Sequence, residues 1–309
     1  MRRLGWALLL LSLLGCEGAI GAGGGNGTGR QGTGEEGTGV LGSGTVDSPV
    51  APVEKRWLSD SAGLSPFRRL TSRHMIHAIS DLVGIDVNPN ELPFEATRDG
   101  FVTFAALQGA SASDVRGMYA LAEEVAAAAD IESLMSCSVD DRDCVRAFIE
   151  SFALRAFRRR IDADEVERYL SLYDVAEVDG FDFGARTVLH AMLSSPSFLY
   201  RAERSGSDGT TAPLTGHEYA ARLAFFLWSS VPDAELMLDA EDGVLDTRAG
   251  RAAAIERMLE DQRARRTVRY FHEQWLRLTE LTSIAPNPEI FPAFEDGLVA
   301  DYTEETVRY

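Results

Sequence analysis

The sequence predicts an all-α fold: two helical units that follow a signal peptide and a disordered Gly-rich tether. Three observations support this. From about Trp57 onward, apolar residues recur at helical spacing. Start and stop signals bracket those runs. No convincing alternation of period two marks a strand.

The first apolar face runs through Phe67, Leu70, Met75, Ile76, Ile79, Leu82 and Val83. A second runs through Val145, Phe148, Ile149, Phe152, Ala156 and Phe157, and a third through Val166, Tyr169, Leu170 and Tyr173. A fourth joins Val188, Leu189, Met192 and Leu193, and a fifth joins Val268, Phe271, Trp275, Leu278 and Leu281. Thr71 suits a helix N-cap, and Asp162 with Glu165 and Thr215 with Glu218 fit capping boxes. Gly84, Gly180 and Gly206 suit helix ends, while Pro196 and Pro232 break or restart helices. The expected organisation is therefore a leader over 1–15, a lipidated cysteine and tether over 16–56, and an N-terminal helical unit over 57–204. A linker over 205–212 and a C-terminal unit over 213–309 complete it.

The leader carries the most specific signal. Arg2 and Arg3 precede an apolar run from Leu4 to Leu14. As a helix that run is about 16 Å long, too short for a hydrocarbon core of about 30 Å. It has the length of a signal-peptide core. Leu13-Leu14-Gly15-Cys16 resembles the lipobox of bacterial lipoproteins. That resemblance implies cleavage before Cys16, a diacylglycerol thioether on its sulfur and acylation of the new amine. Several acyl chains, at about 0.8 kcal/mol per buried CH₂, would hold the chain on a membrane. The Gly, Thr and Ser residues that follow bury too little to offset ordering entropy. At roughly 5–6 Å × √n such a tether reaches about 30 Å.

Composition bounds the body. At 45% hydrophobic residues the chain can form a core, and its formal net charge is −18. That sign repels nucleic acid, so none is expected as a partner. Cys137 and Cys144 remain once Cys16 is used, and an oxidising compartment favours their pairing. A loop so small gives about 2.5 kcal/mol. A zinc site would need four ligands, and a redox pair the two-residue spacing these cysteines lack. His74 and His77 are three residues apart with no third ligand evident. Asp86-Val-Asn-Pro-Asn-Glu91 lacks the sixth-position Gly of a calcium loop. No metal site is therefore expected.

Arg155, Arg158, Arg159 and Arg160, with Arg168, form a basic island on an acidic chain. On a helix, Arg155, Arg158 and Arg159 would share a face able to bind a carboxylate, a phosphate or an acidic partner. Internal pairing with Asp162, Asp164 and Glu165 is the alternative. Phe225, Phe226, Trp228 and Trp275 suggest either core or a ligand cleft. No nucleophile elbow, phosphate loop or dinucleotide fingerprint occurs, and no cofactor is expected.

A set of motifs in fixed order is more informative than any one of them. It comprises Ala153-Leu-Arg-Ala-Phe-Arg-Arg159, Asp164-Glu-Val166, and Leu193-Ser-Ser-Pro-Ser-Phe-Leu-Tyr-Arg201 with Glu203. Arg222-Leu-Ala-Phe-Phe-Leu-Trp-Ser-Ser-Val-Pro-Asp233, Gln274-Trp-Leu276 and Pro288-Glu-Ile-Phe-Pro-Ala-Phe294 follow. This order resembles the planctomycete-type, multi-domain envelope proteins of unknown function, and Phe67-Arg-Arg-Leu-Thr71 with Asp81-Leu-Val-Gly84 resembles their N-terminal unit. The chain departs from the family at Arg160, where a Pro is usual, and at Gly100-Phe-Val-Thr103, where Gly-Phe-Asp-Asn is usual. The resemblance implies small helical domains, often beside cytochrome-c modules, and a C-terminal unit cut short. No Cys-x-x-Cys-His haem site occurs in the chain.

The resulting expectation is a lipid-anchored envelope lipoprotein, an interaction or assembly module facing the periplasm or the cell surface. One alternative is a redox partner docking a c-type cytochrome. The other is a hydrolase using unrecognised carboxylates.

Overall fold

Caps divide the chain into its helices. Thr71 begins α1 (Ser72–Val83): its side chain accepts from the His74 N–H, and His74 takes the reciprocal place usually held by a carboxylate. Asp162 and Glu165 close a capping box at α5 (Ala163–Ala176), as do Thr215 and Glu218 at α8 (Gly216–Leu227). Gly84 ends α1 in the left-handed region at φ 76°, where a residue without Cβ is unstrained.

The computed structural model describes residues 67–89, 92, 95–135, 141–203, 212–283, 286–287, 289–294 and 296–308. The leader, Cys16, the tether, Cys137, Gly206 and most of the expected 205–212 linker lie outside them. Ser59–Tyr309 is one compact unit. Its remaining helices are α2 (Ala112–Ala128), α3 (Ile131–Met135), α4 (Arg142–Ala156), α6 (Phe181–Leu193) and α7 (Pro196–Leu199). They continue with α9 (Ala234–Glu241), α10 (Arg248–Glu260), α11 (Gln262–Trp275) and α12 (Asp296–Arg308). The all-α expectation therefore holds, with one small exception. β1 (Arg68–Arg69) pairs antiparallel with β2 (Tyr200–Arg201). Two residues per strand leave no alternation for a sequence to display. Among the described residues, no helix is long and apolar enough to cross a membrane.

The apolar side chains form two clusters. The larger draws on α1 to α7, with Met75, Ile149, Leu170, Tyr173, Leu189 and Met192 almost fully buried. The smaller draws on α8, α9, α10 and the start of α11 around Trp228, Leu236, Met237 and Met258. Phe225 and Val231, three positions either side of Trp228 in the chain, join the larger cluster. The segment from α8 to α9 thus contributes to both cores. Burying a Trp side chain of this size is worth about 4–6 kcal/mol before ordering costs. The Trp228 indole also donates from Nε1 to the Met258 carbonyl at 2.9 Å.

Two apolar expectations need correction. The stripe Val268, Phe271 and Trp275 is about half exposed, although Leu278 is buried. Helical spacing places these residues on one face but does not supply a partner for it. Helix α11 instead turns Arg263, Arg266, Thr267 and Tyr270 toward the body. The aromatic group also divides, with Phe225 and Trp228 in the core and Phe226 at 77% exposure.

Helix α6 approaches α5 through Gly184. A Cβ there would lie 2.9 Å from the Tyr173 ring and 3.2 Å from the Glu177 nitrogen. Helix propensity alone makes Gly184→Ala stabilising by up to ~1 kcal/mol. Overpacking against a fully buried ring costs about 1–3 kcal/mol. The clash decides the sign, so urea unfolding is expected to show net destabilisation in G184A.

Candidate functional site

The basic island does not survive as a face. Helix α4 ends at Ala156, and Arg158 sits in the left-handed region at φ 58°. Arg155, the last of the three in regular helix, is therefore separated from the other two. Arg158 is 6% exposed. Its guanidinium donates to the carbonyls of Ala156, Phe198, Ser197 and Tyr200 at 2.6–3.2 Å. Burial pushes its pKa down to about 9, with Arg201 and Arg159 adding to the effect. This side chain fastens α7 and β2 to the end of α4. Arg159 makes a bidentate pair with Glu165 at 2.7 and 2.8 Å, the internal partner that the sequence offered. Arg160 reaches Glu241 of α9 at 2.6 Å.

Arg155 points elsewhere. It donates to the Asp81 carbonyl at 2.9 Å and the Pro232 carbonyl at 3.4 Å. It lines a groove of about 460 Å³ with Asp81, Asp261, Gln262, Arg263 and Arg266. Three elements line this groove, the end of α1, the end of α4 and the start of α11, and the turn between α8 and α9 supports their polar groups. Ser229 holds that turn at φ 54°. Ser230 follows, fully buried, and its hydroxyl donates to Asp81 Oδ2 at 2.6 Å. Arg266 donates to the same carboxylate oxygen at 3.3 Å and to the Trp228 carbonyl at 3.3 Å. Arg263 lies 3.5 Å from the centre of the Trp228 ring and grips Asp261 at 2.6 Å. Asp233 caps α9 and takes Arg257 at 2.8 Å.

Burial and pairing oppose each other here. Burial lowers the pKa of Arg155, which Asp81 and Asp233 partly offset and Arg263 reinforces. Burial also lowers Arg266, against the pull of Asp81. Burial acts to raise Asp233, but the Arg257 hydrogen bond, the Leu236 N–H and Arg263 hold it below the usual carboxylate range. Only the Arg155 share of this site was open to sequence reading. Arg263 and Arg266 sit among several arginines at the start of α11, and nothing local marks the two that turn inward.

The remaining candidates are placed as follows. His74 is buried in its cap, its ring edge toward Phe225, and His77 Nδ1 lies 3.3 Å from the Ser229 carbonyl. Cys144 is in the first turn of α4, its Sγ 4.0 Å from the Met135 carbonyl. Its expected partner, Cys137, lies outside the described residues, as does Cys16. Among the described residues, no three His, Cys, Asp or Glu side chains gather as a metal site.

A second surface lies on the outer side of α11. Phe271 is flanked by Phe101 and Trp275, each with ring centroids 5.8 Å away. Val268 extends the strip, and Arg269, paired with Glu273 and Glu304, borders it.

Three family descriptions match the chain in sequence order. PSD3, a protein of unknown function (DUF1587), matches residues 68–131. PSD5, a protein of unknown function (DUF1595), matches 144–203. PSD4, a protein of unknown function (DUF1592), matches 214–309. No curated protein and no solved structure matches. The groove draws Asp81 from the first matched segment, Arg155 from the second, and Asp261, Arg263 and Arg266 from the third.

Both α1 histidines resist protonation. Burial, then Arg201, pushes His74 down to about 3. Burial, then Arg266, pushes His77 down to about 4. The unfolded chain takes up these protons near 6.5, so below that pH it binds more protons than the folded state. Their contribution to stability is complete above about pH 6.5 and is lost as pH falls toward 4. Urea midpoints of the wild type are expected to decline across that window, and His77→Gln should make the decline shallower. An unchanged slope in H77Q would show that His77 does not contribute.

Proposed function

We propose, for a chain carrying three domains of a planctomycete-type multi-domain family of unknown function, a role as a lipid-anchored interaction or assembly module of the cell envelope. The observation that carries the interaction reading is the aromatic strip of α11. Val268, Phe271 and Trp275 are 54%, 48% and 58% exposed. Three large apolar side chains adjoin one another on one helix face, with an arginine at the border. Trp, Tyr and Arg dominate the energetic centres of protein interfaces, and a contiguous apolar patch marks a contact surface more specifically than scattered ones do.

The anchor in this reading is lipid on Cys16. Cys137 paired with Cys144 would close the connection between α3 and α4 in an oxidising compartment. The partner is an envelope protein that buries Phe271 and Trp275.

A photocrosslinking amino acid at position 275, in cells producing the full chain, tests this. Position 178 is the control, since Val178 is 85% exposed on a different segment. One defined envelope protein should crosslink from 275 and not from 178. Phe271→Ser should weaken that crosslink severalfold, and Cys16→Ser should reduce it by releasing the domain from the membrane. Equal crosslinking from both positions, or none from 275, would contradict the reading.

A further inference from the structure

We propose that the groove between α1, α4 and α11 binds a small multivalent oxyanion through the guanidinium groups of Arg155, Arg263 and Arg266. The site is distinct from the aromatic strip and does not depend on it. Three cations line the groove against two carboxylates, Asp81 and Asp261. Asp261 is engaged by Arg263, and Asp81 by Ser230 and Arg266.

Arg155 is the cation left over. An arginine has five N–H donors. Those of Arg155 that bond within the described residues go to two carbonyls, and no carboxylate comes into contact with it. Its Nη1 group therefore has no partner among them. Arg266 adds a second guanidinium to the lining, half-buried and held through Nη2 to Asp81 Oδ2 and the Trp228 carbonyl. Arg263 is held over the Trp228 ring and by Asp261, so its guanidinium is positioned before any ligand arrives. Unpartnered donors in a partly buried, cationic groove suit an acceptor-only ligand.

Size and charge narrow the class. A groove of about 460 Å³ lies within the usual range for small-molecule sites. Its lining side chains are all charged or polar, which favours a polar ligand over a hydrophobic one. The net charge of −18 repels a long polyanion such as nucleic acid but leaves a small anion free to reach a local cationic site. Polycarboxylates and phosphates share the required chemistry.

Calorimetric titration of the full chain with citrate and, separately, with pyrophosphate tests the proposal and separates those two sources. Sodium chloride at matched ionic strength is the control. Saturable binding of at least one probe is expected, with no response to chloride. Arg155→Gln and Arg266→Gln should each weaken binding at least tenfold. Arg142→Gln should leave it unchanged, because Arg142 is engaged elsewhere with Asp174 and Glu167. Circular dichroism reports whether each variant folds, and if R155Q does not, R266Q decides. Absence of saturable binding by both probes overturns the proposal. So does binding that persists unchanged in a folded R155Q or R266Q.

Discussion

The structure depends on one shared junction, the short turn from Trp228 to Asp233. Its first residue fills the smaller core and its Val231 fills the larger. Between them Ser230 ties back to Asp81 of α1. A turn that serves two cores has little freedom, and the left-handed Ser229 is consistent with a backbone set by its surroundings. The arginines around the turn follow from this. A half-buried carboxylate such as Asp81 is stabilised by hydrogen-bonded partners, and Ser230 and Arg266 supply them. Arg155 of the second matched segment adds its bonds to the Asp81 and Pro232 carbonyls, so polar contacts at the junction connect residues from all three matched segments.

On an acidic protein, most of the cations described are used internally. Arg158 satisfies four carbonyls at the meeting of α4, α7 and β2. Arg186 joins three carbonyls at the end of α2 to Asp182. Hydrogen bonds to a charged group are each worth about 1.5–3 kcal/mol, and replacing such a side chain strands several buried acceptors at once. The folded body thus uses arginine as connecting material. Arg155, like Arg158, bonds carbonyls and no carboxylate, but it does so while lining an open groove.

Much of the fold was legible because its signals are local. Thr71, Asp162 and Thr215 announce helix starts through their own hydroxyl or carboxylate oxygens, and Gly84 ends a helix through its own φ. Apolar spacing likewise placed Val145 to Ala156 and Val188 to Leu193 correctly in the core. The site was less legible because it is assembled across long separations. Arg155 and Arg158 differ by three positions, which reads as one face only if the helix continues, and α4 stops between them. The inward turn of Arg263 and Arg266 depends on Asp81, far away in the chain. The exposed strip on α11 shows the same limit. Period fixes which residues align, and tertiary packing decides whether the aligned face is covered.

The claim that joins these features is that Asp81 and Arg266 are energetically coupled across the junction. A double-mutant cycle with Asp81→Asn and Arg266→Gln, read by urea unfolding, tests it most directly. The account predicts non-additivity of at least about 0.5 kcal/mol, the threshold above which contacting residues depart from independence. Effects that add to within about 0.3 kcal/mol would mean that the contact contributes no coupling, and the junction would lose its place as the element that binds the first and third segments together.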